Sequence, residues 1–144
     1  MRHITQDGID LIKRFEGFSP IVYFCPAGYP TIGYGHVVKK GENFSAGITQ
    51  DEAEELLCTD AQIAEQAVLR LITVPLTDGQ FDALVSFTYN LGSGALQRST
   101  LRRVINRQHH NEVPNQLMRW VWAGGRKLRG LTRRRTAEGN AYKY

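Results

Sequence analysis

The segment from Phe15 to His36 constrains this chain more than any other. It opens where a helical pattern gives out. Ile9, Ile12 and Phe15 recur at helical spacing, and Glu16 follows the last of them. Ile21, Tyr23 and Cys25 then alternate with Val22 and Phe24. Pro26-Ala-Gly28 turns the chain, and Thr31 to His36 returns along it. Alternation, a Pro/Gly turn and a return predict a β-hairpin. A hairpin that starts just after Glu16 folds back over it and brings Cys25 and Thr31 to face the carboxylate across a cleft. An acid, a second proton-handling group and a hydroxyl around one gap make a site for hydrolysis. Taken singly, each has a plainer reading: a Glu at a helix end is usually a solvated charge, and a lone Cys a small buried hydrophobe.

The remaining elements follow from caps and periodicity. Thr5 is placed to cap a first helix running to Phe15, with Ile4 and Ile9 as its hydrophobic staple. The helix dipole is negative where Glu16 sits, which disfavours an ionised carboxylate and suits a general acid. Thr49 and Glu52 form a capping box for a long helix over about 50–72, in which Leu56, Ile63, Val68 and Leu71 supply apolar positions and Thr59-Asp60 is a possible break. Cys58 falls on the apolar side and is read as core. Thr77 and Gln80 form a second box. Phe81, Leu84, Val85, Thr88 and Leu91 then share one face of a helix that stops at Gly92. Ser99 caps a helix over 101–108. Val113, Leu117, Trp120 and Val121 trace another, Gly124-Gly125 breaks it, and a last helix covers about 131–141. The pattern contains no strand after residue 50. The expectation is an α+β fold in one domain, residues 1–144: a β-containing lobe over 15–50, a connecting helix over 50–73 and an all-helical lobe over 74–144.

Charge divides the chain. Residues 1–97 hold 6 Lys/Arg against 12 Asp/Glu, whereas residues 98–144 hold 12 against 2. The halves carry −6 and +10, which give the net +4 of the whole. A basic half predicts a polyanionic partner: acidic cell wall, anionic membrane surface or nucleic acid. No recognisable nucleic-acid-binding motif accompanies it. Leu, Val and Trp with Arg at helical spacing can instead lie on an anionic surface. No apolar run approaches the ~20 residues that span a bilayer, and the N-terminus lacks the pattern of a secretory signal. With two cysteines, the default is free thiols. His109-His110 has no ligand partner at metal spacing, so no metal or other cofactor is expected.

Glu16-x8-Cys25-x5-Thr31 resembles the active-site signature of the phage lysozymes, or endolysins, of glycoside hydrolase family 24. The flanking Arg14-Phe-Glu-Gly17 and Thr31-Ile-Gly-Tyr-Gly-His36 are similar to that family's pattern. So are the stretch from Gln80 to Gly92 with Ser99-Thr-Leu101, and the stretch from Trp122 to Arg135 with Glu138. The resemblance runs from about Ile9 onward and implies a lysozyme-like fold. It also implies hydrolysis of the β-1,4 bond between N-acetylmuramic acid and N-acetylglucosamine in peptidoglycan, without a cofactor and by a monomer. The implied route is from host cytoplasm to wall through a separate pore protein. Residue by residue, it makes Glu16 the general acid, Cys25 the second residue and Thr31 the holder of the water. Gly35, Asn90 and Arg135 fall at the substrate, with Arg135 pairing to Glu16. Such a pair would oppose the helix dipole at Glu16. The alternative for Arg133 to Arg135 is a solvated basic face, and for Asn90 a helix-end cap. His36 is expected to pair structurally with a carboxylate. The family's mechanism is inverting, but Cys25 leaves three roles open: a water-orienting group, a base in a minor ionised state, or a nucleophile giving retention. In a partly apolar cleft the thiol would be pushed up from ~8.5.

Overall fold

The structure, a computed structural model, describes residues 1–143. Helix α1 (Gln6–Glu16) begins at Thr5, whose side chain accepts from the Gly8 N–H. Thr5 also ties this end of α1 to a later helix: its backbone N–H donates to Asp82 Oδ1 at 2.9 Å and its hydroxyl to Asp82 Oδ2. The helix stops at Gly17, whose φ of +70° only glycine adopts cheaply and whose N–H closes on the Lys13 carbonyl at 2.9 Å. Glu16 is therefore the last helical residue.

An antiparallel three-stranded sheet follows, ordered β1 (Ser19–Phe24), β2 (Pro30–Gly33), β3 (His36–Val37). Tyr23 pairs with Thr31, and Thr31 with Val37. The hairpin turn is tied by the Cys25 N–H to the Tyr29 carbonyl at 3.0 Å and the Gly28 N–H to the Cys25 carbonyl at 2.8 Å. β2 is buried and β1 mostly exposed.

Helix α2 (Gln50–Leu71) starts at the expected Thr49–Glu52 capping box and runs unbroken through Thr59-Asp60. The Thr59 hydroxyl donates to the Glu55 carbonyl at 3.1 Å, so it satisfies the helix instead of competing with it. The buried stripe is Ala53, Leu57, Ala61, Ala64, Val68 and Leu71. Cys58 and Ile63 lie outside that stripe and are exposed, which corrects the core reading of Cys58. The small alanines let the sheet and helices approach α2 closely, so alanines share the buried face with Leu57, Val68 and Leu71 while Ile63 is left outside it.

Helix α3 (Asp78–Leu91) starts at the Thr77–Gln80 box, ends at Gly92 and is buried from Phe81 to Thr88. Around it pack α1, α2, α4 (Ser93–Arg98) and α7 (Arg129–Tyr142). Ser99 caps α5 (Thr100–Asn106) as expected. The helix over 113–121 is shorter than its pattern: α6 covers only Val113–Leu117, while Trp120 packs its ring edge-on to Phe87 at 5.5 Å. Gly124-Gly125 does more than break a helix. It turns a small hairpin, β4 (Trp122–Ala123) and β5 (Arg126–Lys127), which corrects the expectation of no strand after residue 50. Both glycines have positive φ, the geometry that short hairpin turns demand.

Candidate active site

Glu16 meets Arg134, from the second turn of α7. Arg134 Nη1 donates to Glu16 Oε2 at 2.5 Å. The guanidinium is 3 % exposed and is fixed on its other edges. Nη2 donates to the Ser86 carbonyl at 3.2 Å, and Nε lies 3.4 Å from Glu138 Oε2. Glu138 is wholly buried and accepts from Ser86 Oγ at 2.6 Å. Burial pushes its carboxyl up, against the pull of Arg135, Arg134 and the Ser86 hydroxyl.

Arg135 does not occupy the place expected for it. One residue further along a helix of 3.6 residues per turn, it points about 100° away from Glu16. It is 0 % exposed, so it reaches no substrate. Its Nε stands 2.8 Å from Glu138 Oε1, its Nη2 donates to Asn90 Oδ1 at 2.7 Å, and it lies over the Phe87 ring. Burial lowers its affinity for the proton, and the Glu138 carboxylate opposes that. Asn90 is thus engaged through its carbonyl oxygen by the inner arginine. The outer arginine, Arg134, is the partner of Glu16. Sequence alone offered three adjacent arginines and no phase to choose among them.

Gly35, in the turn between β2 and β3, is brought against the other carboxylate oxygen. A Cβ at this position would stand 2.9 Å from Glu16 Oε1, and φ is +83°. Only glycine allows this approach. Glu16 is therefore bound on Oε2 by Arg134 and faced on Oε1 by bare backbone.

The β1–β2 hairpin carries the other two candidates, Cys25 in its turn and Thr31 on β2. Cys25 is half-buried. The Tyr29 N–H lowers the thiol's proton affinity most. Desolvation works against it, and the Ala27 N–H, the Thr31 hydroxyl and the Gly28 N–H add to the lowering. This corrects the expected upward shift: the backbone N–H groups and the Thr31 hydroxyl favour the thiolate more than desolvation disfavours it. Thr31 is 3 % exposed, and its hydroxyl also reaches the Tyr29 carbonyl at 2.9 Å. Tyr23 stands opposite Thr31 in the sheet. Burial pushes its phenol up, as do the charges of Glu16 and Cys25, so its ring lies within the field of both. The β-alternation that placed Cys25 on a face also placed Tyr23 there, the signal by which it could have been found.

Further ties hold the sheet to the helices. Tyr89 of α3 donates to the Tyr34 carbonyl at 2.8 Å, and burial raises its phenol far above the ordinary range. His36 is 3 % exposed between Asp60 Oδ2 on Nδ1 at 2.7 Å and Glu42 Oε1 on Nε2 at 2.9 Å, the structural pairing expected of it. Burial would lower the imidazole, but the two carboxylates outweigh it and raise it. Between sheet and helices runs an open groove lined by Gly35, Val37, Asp60, Ile63, Thr88 and Tyr89. Among the described residues no three His, Cys, Asp or Glu are grouped to hold a metal ion.

Known proteins are similar to this chain over most of its length. The family model for phage lysozyme matches residues 13–138. An endolysin of Bacillus phage B103 is 41% identical over 138 residues, 94% of this chain and 52% of that protein. The chain thus spans about half the length of that relative. The muramidase domain of SpmX from Asticaccaulis excentricus superposes with a TM-score of 0.90 at 35% identity, covering 99% of both chains. A point mutant of P22 lysozyme superposes with a TM-score of 0.89 at 34% identity over 100% of both. Other relatives are named SAR-endolysin, among them one of Bacteriophage PS119.

Proposed function

Because the chain belongs to the phage lysozyme family of muramidase glycoside hydrolases, we propose that it cleaves the β-1,4 bond between N-acetylmuramic acid and N-acetylglucosamine in peptidoglycan and so lyses a host cell. The observation that carries this reading is the Glu16 carboxylate, held on one oxygen by buried Arg134 and left open on the other by Gly35, which also lines an open groove. A glycan strand lies along such a groove, and the scissile oxygen takes the proton from Glu16 Oε1. As the C–O bond breaks, water attacks the anomeric carbon from the opposite side. Thr31 orients that water and the Cys25 thiolate takes its proton, an inverting course in which Glu16 loses one proton and Cys25 gains one. The lowered thiol of Cys25 favours this role over passive water orientation. Asn90 borders the sugar from the end of α3, and Arg135 supports it from behind.

No described helix is long and apolar enough to cross a membrane. We assign release to a separate pore protein and the working form to a monomer. The experiment is clearing of purified peptidoglycan by the wild type and Glu16→Gln, with the new reducing ends and their anomeric configuration identified. Muramic-acid ends of inverted configuration from the wild type alone are expected. Equal clearing by both proteins would refute the role of Glu16, and retained configuration would make Cys25 the nucleophile.

A second reading is favoured by the β4–β5 hairpin, where exposed Trp122 and Leu128 flank Arg126 and Lys127. An amphipathic, cationic tip suits an anionic membrane surface. Killing by Glu16→Gln would support it, and loss of all killing would sink it.

A further inference from the structure

A second concave surface lies away from the glycan groove. Arg98, Arg102, Arg103 and Arg107 line it together with Gln97 and Asn106, where α4 and α5 meet the end of α2. None of the four arginines forms an ion pair among the described residues, a state they share with most of the chain's lysines and arginines; what sets them apart is that they line one concave surface. Four like charges crowded on one short helix and its approach repel one another, and no ion-paired carboxylate among the described residues relieves them.

The floor is built before anything binds. Arg102 Nε donates to the Leu71 carbonyl at 3.0 Å and Nη1 to the Gln97 carbonyl at 3.2 Å. Asn106 Nδ2 donates to the same Leu71 carbonyl at 2.9 Å, and its Oδ1 accepts the Thr73 N–H at 2.8 Å. Arg103 Nη2 rests on Thr100 Oγ1 at 3.0 Å, which leaves its remaining guanidinium donors without a described partner. Arg103 and Arg107 are four residues apart, about 6 Å at Cβ, so two guanidiniums follow one another along the groove.

We propose that this groove binds a linear phosphodiester polymer of the bacterial envelope, one guanidinium fork to each successive phosphate. Planar forks match phosphate oxygens two at a time. A chain of repeated single charges fits a row of arginines better than one compact anion does. The lining itself sets two alternatives aside. It contains no apolar side chain to enter a lipid bilayer and no aromatic ring on which a nucleobase would stack. The envelope as source rests on the peptidoglycan reading above; the phosphate chemistry does not.

Position gives the second site its use. Helix α4 joins the two grooves: Ser93 lines the glycan groove, and Gln97, four residues or about 6 Å along the helix axis, lines the second. Both grooves can be filled at once. A polymer held at α5 raises the local concentration of glycan at Glu16 without touching it.

The test uses the full chain and soluble poly(glycerol phosphate) of defined length. Arg103 and Arg107 are exposed and carry no tertiary hydrogen bond, so Arg103→Gln/Arg107→Gln removes charge and leaves the floor intact. Arg126→Gln/Lys127→Gln removes the same charge from the distant hairpin. The wild type should bind with an affinity that falls with salt at a log–log slope of about −3, about −0.7 for each of four phosphates. The groove variant should bind about tenfold more weakly with a slope near −1.4, and the hairpin variant should match the wild type. Both variants should clear polymer-free peptidoglycan at the wild-type rate, and the groove variant should be slower only on walls that retain the polymer. Equal weakening by both variants would reduce the effect to overall charge and overturn the proposal. So would tighter binding to phosphatidylglycerol vesicles or single-stranded DNA than to the polymer. Failure of the wild type to clear polymer-free peptidoglycan would overturn the muramidase reading while leaving the binding result standing.

Discussion

Replacing Arg134 with methionine keeps most of the side-chain volume and removes the guanidinium that spans Glu16, Glu138 and the Ser86 carbonyl. The loss falls unevenly on its three acceptors. Glu138 is wholly buried and keeps Ser86 and Arg135. Taking one partner from a buried ion network costs about 3–5 kcal/mol. Glu16 retains 21% side-chain exposure, so water replaces much of what Arg134 supplied there. A net destabilisation of about 4 kcal/mol follows, which for a domain of this size lowers Tm by about 12 °C. The catalytic loss is separate. Oε2 is no longer tethered, and misplacing a reacting group by about 1 Å costs on the order of 10²-fold in rate. Arg134→Lys should restore part of the stability but little of the rate, because an ammonium cannot reach three acceptors in one plane. The control is Arg135→Met, which strips the other guanidinium from Glu138 without touching Glu16. Assayed below both melting temperatures, it should lose comparable stability and raise KM through the released Asn90, while its kcat stays within about threefold of wild type. If Arg135→Met loses as much kcat as Arg134→Met per folded molecule, the two arginines act as one buried unit, and the assignment of Arg134 to Glu16 is refuted.

Cys25→Asp should keep inverting activity and extend the profile to lower pH, since a carboxylate ionises well below even a lowered thiol. Cys25→Ser should lose at least about 10²-fold at every pH. A serine variant with the wild-type profile would leave the thiol no chemistry. His36 makes a stability prediction with a definite sign. Its imidazole is raised in the folded chain, so its contribution is fully present below the unfolded value of about 6.5 and is lost as pH rises through the folded value. The Tm gap between wild type and His36→Asn should therefore be widest near pH 5 and close toward alkaline pH. A gap that widens on going alkaline would show that the bonds to Asp60 and Glu42 do not favour the charged ring.

Local signals were legible in the sequence wherever a residue's role depends on neighbours within one turn. The Thr5, Thr49, Thr77 and Ser99 caps, the Gly92 stop and the return of the hairpin all belong to this kind. The illegible features depend on phase or on distant packing. Arg134 and Arg135 are chemically identical neighbours, and only the docking of α7 on α3 decides which one meets Glu16. Helix α2 hides its buried face in alanines, so Ile63 and Cys58 mislead any reading by size. The lowering at Cys25 comes from backbone N–H groups and the Thr31 hydroxyl brought near by the folded turn, which residue types do not encode. The β4–β5 hairpin has two residues per strand, too few for any alternation to register.

The bond between Glu16 and Arg134 joins positions 118 residues apart in the sequence. Its consequence concerns timing. At about 5–20 residues per second, the ribosome exposes α1 many seconds before α7. Through that interval Glu16 exists without the guanidinium that holds its Oε2, and Asn90 without the guanidinium that holds its carbonyl oxygen. The hydrolytic centre is thus the last thing the chain makes. A nascent chain arrested between α4 and α7 carries the hairpin, the groove residues and Glu16, and should cut nothing.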